Sequence, residues 1–482
     1  MTSLRQLFPE WSGVDQSLDG LTLDSRAVQP GWLFLALPGA SSDGRRHITE
    51  AVAAGARAVA YESADGFCCD PGVPAVAVPG LRRRLSALAG LFHGEPSRQL
   101  GVLGVTGTNG KTSVSQMLAQ ALQLLGEPCG VIGTLGSGMP GQLQSHGMTT
   151  PDPIGVQRQL AELLQQGARW VSMEVSSHAL DQQRVAAVRM CVALFTNLSR
   201  DHLDYHGDMH SYGEAKARLF TEQPIEAAVI NLDDEFGASL PVRCQVPVIG
   251  YSLQQPQAQL FADQLVFDAD GIHARVHWQG RSHTLHSPLL GRFNLYNLLA
   301  VLGGLLALQR PIELCLPLLA QLQAPAGRMQ RLGGDGLPLV VVDYAHTPDA
   351  LHNALAALRA HTRGRLLCVF GCGGDRDRGK RPLMAEAAEA GADAVLVTSD
   401  NPRSEAPQQI IDDILVGLRK PQPVEADRGQ AIRQAILQAD AADVILLAGK
   451  GHEDYQEIAG VKYPFSDIEQ AQAALAARGE TA

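Results

Sequence analysis

Gly107, Thr108, Asn109, Gly110, Lys111 and Thr112 lie where the apolar run Leu103-Gly104-Val105-Thr106 breaks into glycines, and a helical pattern opens at Ser113. A buried strand that hands a glycine-rich turn to a helix start leaves backbone N–H groups aimed at one place, an arrangement suited to polyphosphate. Lys111 adds a cation and Thr112 a hydroxyl for Mg²⁺, so a nucleoside triphosphate site is expected. The strict spacing of such a loop puts glycine at position 105, where Val105 stands, so the motif is a variant. An ordinary tight strand-to-helix turn would account for the glycines but not for the Lys-Thr pair behind Gly110.

Metal and proton chemistry would need groups beside that loop. The apolar run 170–175 reads as a buried strand with Glu174 near its C-terminal end, and the run 190–196 empties into a segment that contains His202. In open parallel sheets that edge carries the ligands, so Glu174 and His202 are expected to complete a Mg²⁺ shell supplied mainly by phosphates and water. His202 and His206, four apart, are the alternative zinc pair, but no cysteine or third histidine at convincing spacing accompanies them.

The elements that must position these groups fall into three expected domains: 1–97, 98–328 and 329–482. The first reads as a small α/β unit with short strands over 21–26, 32–37 and 58–61 and a helix over 81–92. Asp24, Ser25, Arg26 and His47 lie at its element ends, as ligand contacts or as turn and cap residues. In the second, alternation around Asp270-Gly271 over 265–278 predicts a β-hairpin within an inserted meander. Asn294 and Asn297 share a face at the start of an apolar helix, where they suit either a purine or a helix cap. In the third, strands over 338–343, 366–370, 394–398 and 444–448 alternate with helical windows, which predicts a second doubly wound sheet. Polar, glycine-rich loops follow each of these strands, around Asp343, Arg376, Asp400-Asn401-Pro402-Arg403 and Gly449-Lys450-Gly451-His452-Glu453. Four such loops on one sheet edge point to a binding site.

Bulk properties narrow the classes. Net charge is −11 with both signs interspersed, so no nucleic-acid partner is expected. The eight cysteines lie mostly in apolar segments without paired zinc spacing, which suits a reduced, cytoplasmic protein. Residues 1–10 lack an apolar signal core, and the longest apolar stretch, 289–308, is interrupted by Arg292, Asn294 and Asn297, so no membrane span is expected.

The segment Thr106-Gly107-Thr108-Asn109-Gly110-Lys111-Thr112 resembles the ATP loop of the Mur ligases, and the resemblance extends over essentially the whole chain in the family's domain order. It implies a small N-terminal α/β domain for the UDP end of the substrate, a central ATPase-type parallel sheet and a C-terminal Rossmann-like sheet. Ser25, Arg26 and His47 would hold the UDP end; Thr149, Thr150, Ser176, Gln182 and Arg184 would hold the muramoyl-peptide. Lys111 and Thr112 would serve the phosphates and one Mg²⁺, with Glu174 and His202 at a second. Lys216 matches the lysine that CO₂ carbamylates in this family, a change that turns a cation into an anionic oxygen ligand. A solvated helix lysine is the plain alternative. Asn294, Asn297, Arg328 and Asp343 match positions that engage ATP.

The form Asp400-Asn401-Pro402-Arg403 resembles that of family members selecting meso-2,6-diaminopimelate, with Arg376, Asn401, Arg403, Gly449 and Glu453 around the amino acid. A guanidinium can grip the far carboxylate that lysine lacks; the alternative makes Arg403 a helix cap. The implied activity is an ATP-dependent amide ligase acting on UDP-N-acetylmuramoyl-L-alanyl-D-glutamate through an acyl phosphate, as a monomer whose C-terminal domain closes over the reactants. The alternatives are the same reaction with L-lysine, a folylpolyglutamate synthetase-like ligase, and a nucleotide sensor without hydrolysis.

Overall fold

The computed structural model describes residues 2–39, 42–145, 147–334 and 336–479. The chain divides into two compact units, Met1–Tyr251 with Gly303–Gln309, and Ser252–Leu302 with Arg310–Ala482.

The first unit carries two sheets. Four parallel strands, Gly20–Thr22, Trp32–Ala36, Ala58–Glu62 and Ala75–Val78, pair in chain order. The two-residue period of a strand splits their side chains: Leu33 and Leu35 pack with Leu81, Leu85 and Leu88 of the helix Leu81–Phe92, while Phe34 and Ala36 pack with Ile48 and Ala51 of the helix Ile48–Ala53. The strand expected over 21–26 stops at Thr22, because the Asp24 carboxylate accepts the Arg26 N–H and caps a 3₁₀ turn, Ser25–Ala27. Ser25 and Arg26 therefore sit on a turn.

The larger sheet of this unit has the order Val248–Ser252, Ile225–Asn231, Met190–Phe195, Gly101–Thr106, Trp170–Glu174, Cys129–Gly133, all parallel, with Gly136–Gly138 antiparallel at the edge. Glu174 pairs with Val105 and Phe195 with Thr106, so the phosphate loop, Glu174 and the chain beyond Phe195 leave the sheet at one edge. The helix Lys111–Leu124 starts two residues before the expected Ser113 and buries Val114, Met117, Leu118 and Ala121, one stripe at helical spacing.

The second unit contains the meander Leu260–Asp268, Gly271–Trp278 and Arg281–Ser287. The turn at Asp270-Gly271 is the expected one. Its C-terminal sheet has the order Gln330–Gly333, Leu339–Asp343, Val444–Ala448, Leu366–Phe370, Ala394–Val397; the first is antiparallel and the rest parallel. The helices Pro348–Arg359, Lys380–Gly391 and Pro407–Leu415 cover one face, and Arg428–Gln438 and Asp467–Gly479 the other, which makes it doubly wound. All four polar loops leave from the C-terminal ends of the parallel strands. The sequence gives no warning of the hairpin Tyr455–Ile458 and Val461–Pro464 or of the last helix. No disulfide joins the eight cysteines, and no helix among the described residues is long and apolar enough to cross a membrane.

Candidate active site

Val105 is fully buried in its strand, so the loop proper begins only at Gly107 and the variant spacing is a consequence of strand length. Gly107 has φ +149, and a Cβ there would fall 1.9 Å from Thr196 Oγ1; the backbone passes too close for any side chain. The strand next door pins the loop. Thr108 N–H donates to Asn197 O at 2.8 Å, Asn109 N–H to Asn197 Oδ1 at 2.9 Å, and Thr196 Oγ1 to Asn109 O at 2.6 Å. The Lys111 ammonium curls over the loop onto the carbonyls of Gly107 and Thr108 at 2.8 and 2.9 Å.

Glu174 is 1% exposed. Its carboxylate accepts Thr112 Oγ1–H at 3.0 Å and both the N–H and the hydroxyl of Thr134 at 2.8 and 3.1 Å. Burial pushes its acid strength down and its pKa up, against the pull of these donors and of Lys111. Thr134 was not foreseen, since a threonine after a buried strand carries no pattern of its own. His202, at φ +51, lies 3.4 Å from Asp201 and faces the rings of His178 and Tyr212, at centroid distances of 5.0 and 6.0 Å. The expected pair thus meets the loop at two separate points, Glu174 at Thr112 and His202 by way of Tyr212, whose hydroxyl is 3.2 Å from Thr108 Oγ1. His178 is a third histidine near His202 and His206, yet among the described residues no three His, Cys, Asp or Glu side chains converge on a common metal position. The hydroxyl of Thr112 beside a buried carboxylate is hard oxygen chemistry, which fits Mg²⁺ when phosphates and water supply the remaining ligands.

Lys216 is no solvated helix lysine. It is 1% exposed, donates to Gly107 O at 2.8 Å and lies over the Tyr212 ring at 4.4 Å. Burial, then the charge of Lys111, holds its pKa well below the ordinary lysine value. Tyr212 sits one turn earlier on the helix Met209–Thr221, so the four-residue spacing was the available signal.

A cavity of about 700 Å³ joins the two sheets of this unit and is lined by Ser25, Arg26, His47, Gln182 and Arg184 together with Met148 and Asp152. The five sequence-chosen residues therefore share one surface. His47 Nδ1 and Ser25 Oγ both reach Glu50 Oε2, at 3.0 and 3.4 Å, and Arg26 pairs with Asp24. Gln182 Oε1 accepts from Arg184 at 3.0 and 2.7 Å while its amide donates to the Tyr205 hydroxyl. Thr150 is turned inward instead: its hydroxyl donates to Glu174 O and accepts Ser176 N–H, so it braces the site rather than lining the cavity. Ser176 caps the helix Ser177–Asp181, and Thr149 Oγ1 is 3.0 Å from Thr134 Oγ1.

In the second unit Asn294 and Asn297 are buried. Asn294 Nδ2 donates to Leu290 O and Asn297 Nδ2 to Asn294 Oδ1. The Asp343 carboxylate accepts Met329 N–H and Ala345 N–H at 2.8 and 2.9 Å, and Arg328 stacks 5.0 Å over Tyr344.

Around Asp400-Asn401-Pro402-Arg403 the chemistry is denser. Asn401 is 2% exposed, its Nδ2 donates to Glu453 Oε2 at 2.8 Å, and its Oδ1 accepts from Lys450 Nζ and Glu457 N–H. Asp400 folds under its own loop to accept Asn401 N–H at 2.6 Å, and a Cβ on Gly449, which has φ +115, would fall 2.6 Å from Asp400 Oδ2. Arg403 is no helix cap. Its Nη1 donates to Gly374 O at 2.8 Å and its Nε lies 3.5 Å from Glu457, while its backbone, at φ +50, is clamped by Glu457 O and Ala459 N–H. Arg376 is exposed on the neighbouring glycine-rich loop. Beneath the loops that follow Ser399 and Ala448 lies a fully buried pair that sequence reasoning missed. Arg428 holds Asp467 at 2.7 and 2.6 Å and donates to the carbonyls of Ser399 and Ala448, the residues just before Asp400 and Gly449.

Three family models match the chain: "Mur ligase family, catalytic domain" over residues 17–95, "Mur ligase middle domain" over 105–305, and "Mur ligase, glutamate ligase domain" over 327–451. The UDP-N-acetylmuramoyl-L-alanyl-D-glutamate–2,6-diaminopimelate ligase of Ectopseudomonas mendocina is 59% identical over 480 residues, 98% of each chain, and that of Pseudomonas aeruginosa 58% over 479 residues, again 98% of each. A solved structure of a ligase of the same name superposes with a TM-score of 0.78 at 37% identity, covering 99% of both chains. Folylpolyglutamate synthase of Mycobacterium tuberculosis shares the fold at 20% identity, with a TM-score of 0.59 over 76% of this chain. A phosphate loop backed by a buried glutamate and a buried lysine, and three family segments in one order along a chain matched end to end, leave one conclusion: the chain belongs to the Mur ligase family.

Proposed function

We propose that the chain joins meso-2,6-diaminopimelate to UDP-N-acetylmuramoyl-L-alanyl-D-glutamate at the expense of ATP, a step of peptidoglycan precursor synthesis in the cytoplasm. One constellation carries the choice of amino acid: the Arg403 guanidinium, the Asn401 amide and the Glu453 carboxylate in a single loop cluster. The far end of diaminopimelate is a zwitterion, and a guanidinium with a carboxylate matches its two charges; lysine has no far carboxylate to pair with the Arg403 guanidinium, whose anionic neighbour would then be Glu457 at 3.5 Å.

The γ-carboxylate of the D-glutamyl residue attacks the γ-phosphorus of ATP, the bond to ADP breaks, and an acyl phosphate forms. The diaminopimelate amine then adds to the acyl carbon, loses a proton, and the tetrahedral intermediate expels phosphate. One anion attacks another in the first step, so Lys111 and the N–H groups that open the helix Lys111–Leu124 would neutralise charge where it develops. Thr112 would serve one Mg²⁺, and Glu174 and His202 a second; Mg²⁺ screens the phosphate charge when bound. The ring of Ser25, Arg26, His47, Gln182 and Arg184 would hold the UDP-sugar-peptide, and Asn294, Asn297, Arg328 and Asp343 would serve the nucleotide. Burial and the charge of Lys111 make Lys216 give up its proton more readily than an ordinary lysine, and the amine so formed can add to CO₂; a nitrogen–carbon bond forms, a proton leaves to water, and an anionic carbamate results.

Phosphate release with UDP-N-acetylmuramoyl-L-alanyl-D-glutamate and ATP tests the assignment. Release that requires diaminopimelate, with lysine at least 10³-fold poorer in kcat/KM, is expected. Equal use of lysine overturns the specificity, and release with neither amine overturns the ligase reading.

A further inference from the structure

The loop Gly449-Lys450-Gly451-His452-Glu453 holds a cation that the reaction as described leaves unused. Lys450 is fully buried, and its Nζ lies 3.1 Å from Asn401 Oδ1 and 3.1 Å from Glu453 Oε2, with the Tyr455 ring 5.6 Å away. An amide has two faces of nearly equal size, one donor and one acceptor, and its neighbours decide which way it points. At Asn401 the acceptor face is taken twice, by Lys450 Nζ and by Glu457 N–H at 3.0 Å. The donor face gives one N–H to Glu453 Oε2 at 2.8 Å. The second N–H of Asn401 lies on the same side of the amide and, like the first, can only donate.

We infer that Lys450 is a positioning residue for the amino-acid site: its ammonium locks Asn401 as a donor and holds Glu453 in place, so that the loop presents one donor and one carboxylate to the incoming amino acid. The inference rests on the proposed function. A donor in that fixed sense recognises a carboxylate and rejects a group that itself donates, which adds to what Arg403 does for the far acid group of diaminopimelate. A lysine fully buried beneath a loop could serve only to fill space, and that role makes a different prediction. A space-filling residue affects all acceptors alike, whereas a residue that orients Asn401 affects only those that carry the far carboxylate.

The test uses the full chain with Lys450→Met, which keeps the length of the side chain and removes its charge and donors, and Lys450→Gln as a second variant should the first fold poorly. Folding is checked by circular dichroism. KM for diaminopimelate is expected to rise ten- to a hundred-fold, the size of a lost charge-assisted contact, with KM for ATP and for the UDP-dipeptide within two-fold of the parent. The parent should discriminate strongly between diaminopimelate and its far-end monoamide, and the variants should narrow that ratio at least ten-fold. Unchanged KM for diaminopimelate, or an equal loss on the acid and the amide, overturns the inference. A parent chain that makes no product from diaminopimelate would instead overturn the function on which the inference stands.

Discussion

The Nζ of Lys216 donates to the carbonyl oxygen of Gly107 at 2.8 Å, so a helix that starts more than a hundred residues downstream closes one side of the phosphate loop. Lys111 reaches the same carbonyl at 2.8 Å. Two cations on one oxygen repel each other, and the more deeply buried gives up its proton more readily.

Conversion of Lys216 to a carbamate removes that repulsion and supplies an anion. Lys216→Met is therefore expected to lower product formation at least a hundred-fold. The parent enzyme should lose activity in CO₂-depleted buffer and regain it on addition of bicarbonate, while the variant responds to neither; an increase of one CO₂ mass on the intact parent chain and not on the variant, read by native mass spectrometry, checks the species directly.

The same burial sets a pH signature on stability. The folded-state pKa of Lys216 is depressed, so between that value and the ordinary lysine value of 10.5 the unfolded chain binds a proton that the folded chain does not. Stability of the parent relative to Lys216→Met should therefore rise with pH across that window, with a limiting slope of about 1.4 kcal/mol per pH unit. Urea unfolding of both proteins in CO₂-free buffer from pH 7 to 10 measures it, and parallel curves would contradict it.

Arg403→Lys keeps the charge and loses the planar fork. A point charge cannot match a carboxylate with two parallel bonds, so KM for diaminopimelate should rise about ten- to a hundred-fold while KM for ATP stays put. Steady-state kinetics with each substrate varied in turn separates the two.

Arg428→Met leaves Asp467 as an uncompensated charge in the interior and frees the carbonyls of Ser399 and Ala448. Removing one partner of a buried ion pair costs about 3–5 kcal/mol. Urea unfolding should show that loss, and the amino-acid KM should worsen with it, because the two loops proposed to hold the amino acid begin at those carbonyls.

Much of this architecture is written in local pattern. The helix Leu81–Phe92 has the bounds that its apolar stripe predicts, and the four parallel strands of the C-terminal sheet fall within a residue or two of their apolar runs. The strand Arg281–Ser287 escaped notice because Leu285 is its single aliphatic residue, too little to mark a two-residue period. The helix Asp467–Gly479, rich in alanine and glutamine, shows little more.

Residue order alone determined the phosphate loop, the edge on which Glu174 emerges and the four polar loops, since each is set by the end of a strand and the glycines behind it. Only the tertiary structure decided what those side chains do: that Lys216 is buried against Gly107, that Thr150 braces the chain instead of facing the cavity, and that Lys450 and Glu457 fix the sense of Asn401. The physical reason is that periodicity reports which face of an element is apolar, whereas burial and hydrogen-bond partners of a polar side chain depend on segments far away in the chain, which meet it only once the sheets have packed.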